Sequence, residues 1–157
     1  MDCAILKIST CCIIGRRNLI KGYEPTIEYE LETLLVHGIN RFLFCGLAPF
    51  EQACLRALHT LRTRHFFTVR FKIVLFSDDP AVIGKWRLSF DEVHRLYPPP
   101  HASGRELYRF IVGQAHYMVY FSKGHDYGGS YPAVRCGYDH GLRPINIAIR
   151  KKRNDNF

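Results

Sequence analysis

Hydrophobic residues recur along the chain in two patterns: short unbroken runs, and longer stretches with helical spacing. The first run, CAILKISTCCII (3–14), is almost wholly apolar and β-branched and stops at Gly15. Such a run predicts a strand buried on both faces. A helical pattern follows, with Ile27, Leu31, Leu34 and Leu35 on one side. Pro25 suits the first turn of that helix and Gly38 the position past its end. RFLFC (41–45) predicts a second strand, and EQACLRALHTLRTR (51–64) a helix with Cys54, Leu55, Leu58 and Leu61 on its apolar face. TVRFKIVLF (68–76) reads as the third strand.

Beyond it, SFDEVHRL carries Ser89 with Glu92 three residues on, which is the capping-box signature of a helix start. The proline run 98–100 breaks the chain, and Ser103 with Glu106 repeats the signature before a further helix. HYMVYF (116–121) predicts the fourth strand, Ser130 to Gly141 bounds a helix, and RPINIAI (143–149) predicts the fifth strand. Strand and helix alternate almost strictly. That order predicts an α/β fold, a three-layer Rossmann-like sandwich with a five-stranded, mostly parallel sheet. The 157 residues make a single domain, 1–157, in which 150–157 is a basic tail.

Composition narrows the class. No apolar run reaches the roughly 18 residues that span a bilayer, and the opening residues lack the basic n-region of a secretory leader. The expectation is a cytoplasmic protein with no membrane partner. Six cysteines stand at 3, 11, 12, 45, 54 and 136, with no C-x-x-C pair. Adjacent strand residues point to opposite faces, so Cys11 and Cys12 are read as reduced core residues rather than as a bridge. Neither a metal nor a cofactor is called for. Twenty-two Lys and Arg against fourteen Asp and Glu give +8, which favours anionic partners. RTRHFFTVR (62–70) is basic and aromatic, but its phenylalanines fall where a helix meets a strand and are expected to face the core.

Ligands of parallel sheets bind beyond the carboxyl ends of the strands. The first such loop holds Gly15, Arg16 and Arg17: a tight turn followed by two guanidinium groups, suited to phosphate or carboxylate, or else a plain surface turn. The second holds Cys45 and Gly46, with Glu51 and Gln52 at the helix start, placed to touch a ribose or to face water. Ser77 begins the third. The fourth places Gly128, Gly129 and Ser130 directly before a helix, where glycine amides and free helix N–H groups cradle anions. Neither a Walker A loop nor G-x-G-x-x-G is present. If the site is catalytic, its acid or base would come from Glu51, Asp78, Asp79, His125 or Asp126; each reads first as a hydrated loop residue, and His125 and Asp126, beside the glycine pair, stand out most.

IGRRN (14–18), CGLAPFEQ (45–52), GGS…GLRP (128–144), the segment around Trp86 and YRFIVGQAHYMVYF (108–121) together resemble the SLOG superfamily, a group of Rossmann-like nucleotide-ligand domains. The likeness is to small bacterial members, and more distantly to lonely-guy and DNA-processing proteins. Arg109 matches an arginine of that family. The lonely-guy signature PGGxGTxxE is not met: after GGS the chain reads YPAVR, with Val134 and Arg135 and no glutamate. The resemblance implies a nucleotide or nucleotide-derived ligand at Gly15, Arg16, Arg17, Gly46, Gly128, Gly129 and Ser130, with Cys45, Glu51, Ser77 and Arg109 as further contacts. It also implies a homodimer. The function expected is that of a sensor or binding module. The alternatives are a nucleotide N-glycosidic hydrolase and a single-strand nucleic-acid binder.

Overall fold

The structure, a computed structural model, describes residues 8–15, 21–75, 81, 83–84, 87–96, 104–123 and 131–150. Its centre is strand β1 (Thr10–Ile13), in which all four residues are buried. Strand β2 (Arg41–Phe44) pairs with it on one side and β5 (Tyr117–Tyr120) on the other, both parallel. Beyond β2 lie β3 (Arg70–Leu75) and then β4 (Glu92–Arg95), and beyond β5 lies β6 (Arg143–Asn146). The sheet is parallel throughout, in the order β4-β3-β2-β1-β5-β6.

Among the described residues, four helices cover it. Helix α1 (Glu24–Val36) and α2 (Pro49–Arg64) bury Ile27, Leu31, Leu34, Cys54, Leu58 and Leu61. These pack with Cys11, Ile13, Phe42, Phe44, Phe71 and Ile73. Helix α3 (Gly104–Gly113) and α4 (Tyr131–Asp139) cover the opposite face. There Ile111, Val112, Ala133 and Val134 meet Cys12, Leu43, Val74 and Met118. Cys11 and Cys12 thus point to opposite layers, as the period of two requires. The five cysteines among the described residues are free. The fold is a doubly wound, Rossmann-like α/β sandwich.

The sheet has six strands where the sequence predicts five. The extra one is β4, which occupies the segment read as a capped helix. Two contacts distant in sequence decide it. Asp91 accepts the Phe71 amide at 2.8 Å through its carboxylate, and its own amide donates to the Phe71 carbonyl at 2.9 Å. Arg62, at the end of α2, holds the same carboxylate at 2.8 Å. His59 takes up the Ser89 carbonyl, at 3.1 Å. These bonds set the segment beside β3, and a local capping pattern cannot compete with a paired strand.

Three boundaries also differ. Of the predicted first strand, residues 3–7 lie outside the described residues, and Ile8 and Ser9 precede β1, with Ile8 61% exposed. The last strand ends at Asn146 and turns into one 3-10 turn, Ile147–Ile149. Phe66 packs on the core as expected, but Phe67 is 68% exposed.

Helix α4 lies close on the sheet because Gly137 gives it room: a Cβ there would overlap the Met118 sulfur. Gly113 ends α3 with nothing within 4 Å of a Cβ. Gly137→Val is therefore expected to destabilise the domain by about 1–3 kcal/mol through overpacking. Gly113→Ala is expected to be neutral or to stabilise it by up to about 1 kcal/mol. Urea unfolding of both variants beside the parent protein checks the contrast, and equal effects would refute it.

Candidate functional site

The chain leaves β1 for helices on one face of the sheet and leaves β5 for α4 on the other. The carboxyl ends of these neighbouring strands therefore diverge, and the crevice between them is where such sheets take ligands. Gly15, Cys45, Gly46, Ser122 and Asn146 stand along this edge.

Asn146 fixes one side of it. Its Oδ1 accepts the Ser122 amide at 3.0 Å and the Ala148 amide at 3.1 Å, and its Nδ2 donates to the Ser122 carbonyl at 2.8 Å. The side chain thus extends the β5–β6 ladder by one step while ending β6.

Glu51 fixes the other side. It is in the first turn of α2, where a carboxylate suits the helix dipole. Its carboxyl is folded back, and the residue is only 3% exposed. Oε1 accepts the Ala48 amide at 3.1 Å, and the Cys45 thiol lies 3.8 Å from Oε2 as donor. This is the glutamate half of a capping box, and Ala48 has no side chain to return the bond. Gly15 and Gly46 form the walls. A Cβ on Gly15 would overlap the carboxyl, and one on Gly46 would come to 3.4 Å from Oε1. The two glycine turns of the sequence analysis thus close on a carboxyl group of the chain itself. Gln52, beside it, is exposed and donates to the Leu47 carbonyl at 2.8 Å.

Burial governs the electrostatics here. It raises Glu51 from 4.5 to about 7, against the opposing pull of the bonds from Ala48, Cys45 and Gly46. The Cys45 thiol is pushed well up, first by burial and then by the neighbouring Glu51 charge. The Tyr108 hydroxyl of α3 is raised by burial and by the charges of Cys45 and Glu51. A carboxyl near 7 can hold or release a proton at neutral pH, as general acid–base chemistry needs.

Arg109 stands elsewhere. With Tyr108 it lines a groove of about 430 Å³ between α3 and α4, whose far wall is Pro132, Arg135, Cys136 and Asp139. The structure therefore brings together Gly15, Cys45, Gly46 and Glu51, and puts Arg109 among other partners. Arg16, Arg17, Ser77, Gly128, Gly129 and Ser130 lie outside the described residues, as do Asp78, Asp79, His125 and Asp126. Sequence reasoning missed Asn146, which nothing local distinguishes from an ordinary strand residue. It also missed the groove, although Pro132, Arg135, Cys136 and Asp139 recur at the helical period. Among the described residues, no three His, Cys, Asp or Glu side chains converge as metal ligands, and no helix is long and apolar enough to cross a membrane.

The fold defines the class: a parallel, Rossmann-like α/β domain with a topological switch point between β1 and β5. A comparison with family models and with curated proteins finds no match.

The Glu51 carboxyl makes stability depend on pH. Its folded value lies above the unfolded one, so between about 4.5 and 7 the folded chain binds more protons than the unfolded chain. The stabilisation is complete below the unfolded value and is lost as pH rises through 7. Its size is on the order of 3 kcal/mol. Glu51→Gln keeps an acceptor for Ala48 without the charge. The variant is expected to match the parent near pH 5 and to exceed it near pH 8. Urea unfolding at the two pH values measures this, and a variant less stable than the parent at pH 8 would contradict it.

Proposed function

We propose that the domain binds a nucleotide or nucleotide-derived anion across the carboxyl ends of β1 and β5, as a sensor or binding module related to the SLOG domains. The observation that carries this reading is the switch point between β1 and β5 in a wholly parallel sheet, with Gly15 just past the end of β1. Two supports come from the sequence: the net charge of +8, and the glycine pair Gly128 and Gly129 after β5. In this reading Glu51 is a support. It takes up the amide of the second loop and holds Gly15 against α2, so the ligand's anionic group falls to Arg16, Arg17 and the Gly128–Ser130 segment.

The second reading is hydrolysis of a nucleotide N-glycosidic bond, and the Glu51 carboxyl near 7 is the observation that favours it. The two readings share a ligand and differ in turnover.

Thermal shift with NAD, ADP-ribose and the nucleoside monophosphates tests both. A ligand at one hundred times its Kd adds about 2.7 kcal/mol, which raises the Tm by several degrees. The shift is expected to vanish in Arg16→Ala and in Gly129→Asp. Product analysis of the stabilising ligand then separates binding from hydrolysis. No shift with any member of the panel would overturn the nucleotide reading.

A further inference from the structure

The groove between α3 and α4 shares no residue with the Gly15–Gly46–Glu51 cluster, and the proposed function does not use it. Its volume, about 430 Å³, is that of a small-ligand pocket. Two arginines line it, Arg109 of α3 and Arg135 of α4, against one carboxylate residue, Asp139. Arg135 pairs with Asp139 at 3.6 Å, with both side chains about two-thirds exposed. That is longer than a charge-assisted hydrogen bond and worth little in water. Arg109 is exposed, and its charge pulls on the Cys136 thiol against the effect of burial, so its positive field extends over the groove. His140 also lines it, with Nδ1 2.9 Å from the Cys136 carbonyl. Tyr108 contributes a partly buried ring that packs on the core layer beside Cys45 and Cys136.

We propose that this groove is a second binding site, independent of the sheet edge, for a small phosphate monoester: Arg109 and Arg135 grip the phosphate, and Tyr108 receives a flat apolar portion. Two guanidinium groups against one carboxylate leave the groove positive, which favours an anion over a neutral ligand. The planar fork of arginine matches phosphate oxygens in pairs, and a ring wall adds contact for an aromatic substituent.

Phenyl phosphate is the probe, with inorganic phosphate as the headgroup alone. Titration of the labelled full chain, followed through arginine Nε–Hε and backbone amide NMR signals, reads the two regions separately. The site predicts saturable shifts at Arg109 and Arg135 with phenyl phosphate and weaker binding of inorganic phosphate at the same groups. Arg109→Ala is expected to weaken phenyl phosphate about tenfold or more, with the amide spectrum reporting that the variant remains folded. Arg135→Ala serves as the second variant, with the same expected loss. Shifts confined to the Gly15 and Gly46 amides would overturn the groove site while supporting an anion at the sheet edge. Shifts confined to the two arginines would support the groove whatever the edge binds. Unshifted arginine signals at saturating probe, or undiminished affinity in both variants, would overturn the proposal.

Discussion

Everything in this domain is arranged to keep four residues dry. β1 is paired on both edges and covered on both faces, and none of its side chains meets water. A strand in that position carries no charge on either side and is small enough for helices to approach from each. Two adjacent cysteines meet that demand, one per layer. The flanking strands satisfy its peptide groups, and each helix pair buries an apolar face because the sheet supplies one. Burying the backbone without such pairing would cost several kcal/mol per group. The parallel order follows, since each crossover must pass over a face to reach the next strand.

The carboxyl of Glu51 is the exception that the edge of the sheet permits. A buried charge without partners would be prohibitive. Here neighbouring amide and thiol donors meet the group, and the remaining cost appears as a proton held to near neutrality. Gly15 and Glu51 are far apart in the chain yet constrain each other: the glycine has no side chain because the carboxyl occupies that space. A loop that looks open to an external anion is thereby partly filled from within. On the other side of the crevice, Asn146 performs the corresponding task with neutral groups, closing the last rung of the β5–β6 ladder.

Much of this was legible in the sequence, for a physical reason. The apolar clusters Phe42–Phe44 and Phe71, Ile73 and Val74 must be kept from water, and the spacing of Ile27, Leu31, Leu34 and Leu35 leaves one burial geometry. Where reading failed, the deciding contact was remote. The β4 segment carries a sound capping pattern, and only the Phe71 backbone with Arg62 shows why Asp91 anchors a strand instead. The end of β6 depends on a side-chain amide reaching Ser122. In the candidate site, the position of the loops followed from the strand ends alone. The depth of Glu51 did not, because Glu51 and Gln52 look equally hydrophilic and only one of them faces Gly15. Arg109 was picked out by resemblance, and its neighbours across the groove are set by helix packing that no local pattern encodes.

The buried thiols have a kinetic meaning. Alkylating reagents attack the thiolate, and Cys11, Cys12 and Cys54 are both fully buried and hard to ionise, with Cys12 pushed up to about 12. In the unfolded chain the same groups return to an ordinary thiol value near 8.5. Their rate of modification is therefore set by how often the sheet opens, and the three residues form a covalent counterpart of amide exchange, reporting on both layers at once. Cys136 lines the groove and is only partly buried, so it stands outside this group. The three buried thiols are thus a built-in record of unfolding, with no probe attached.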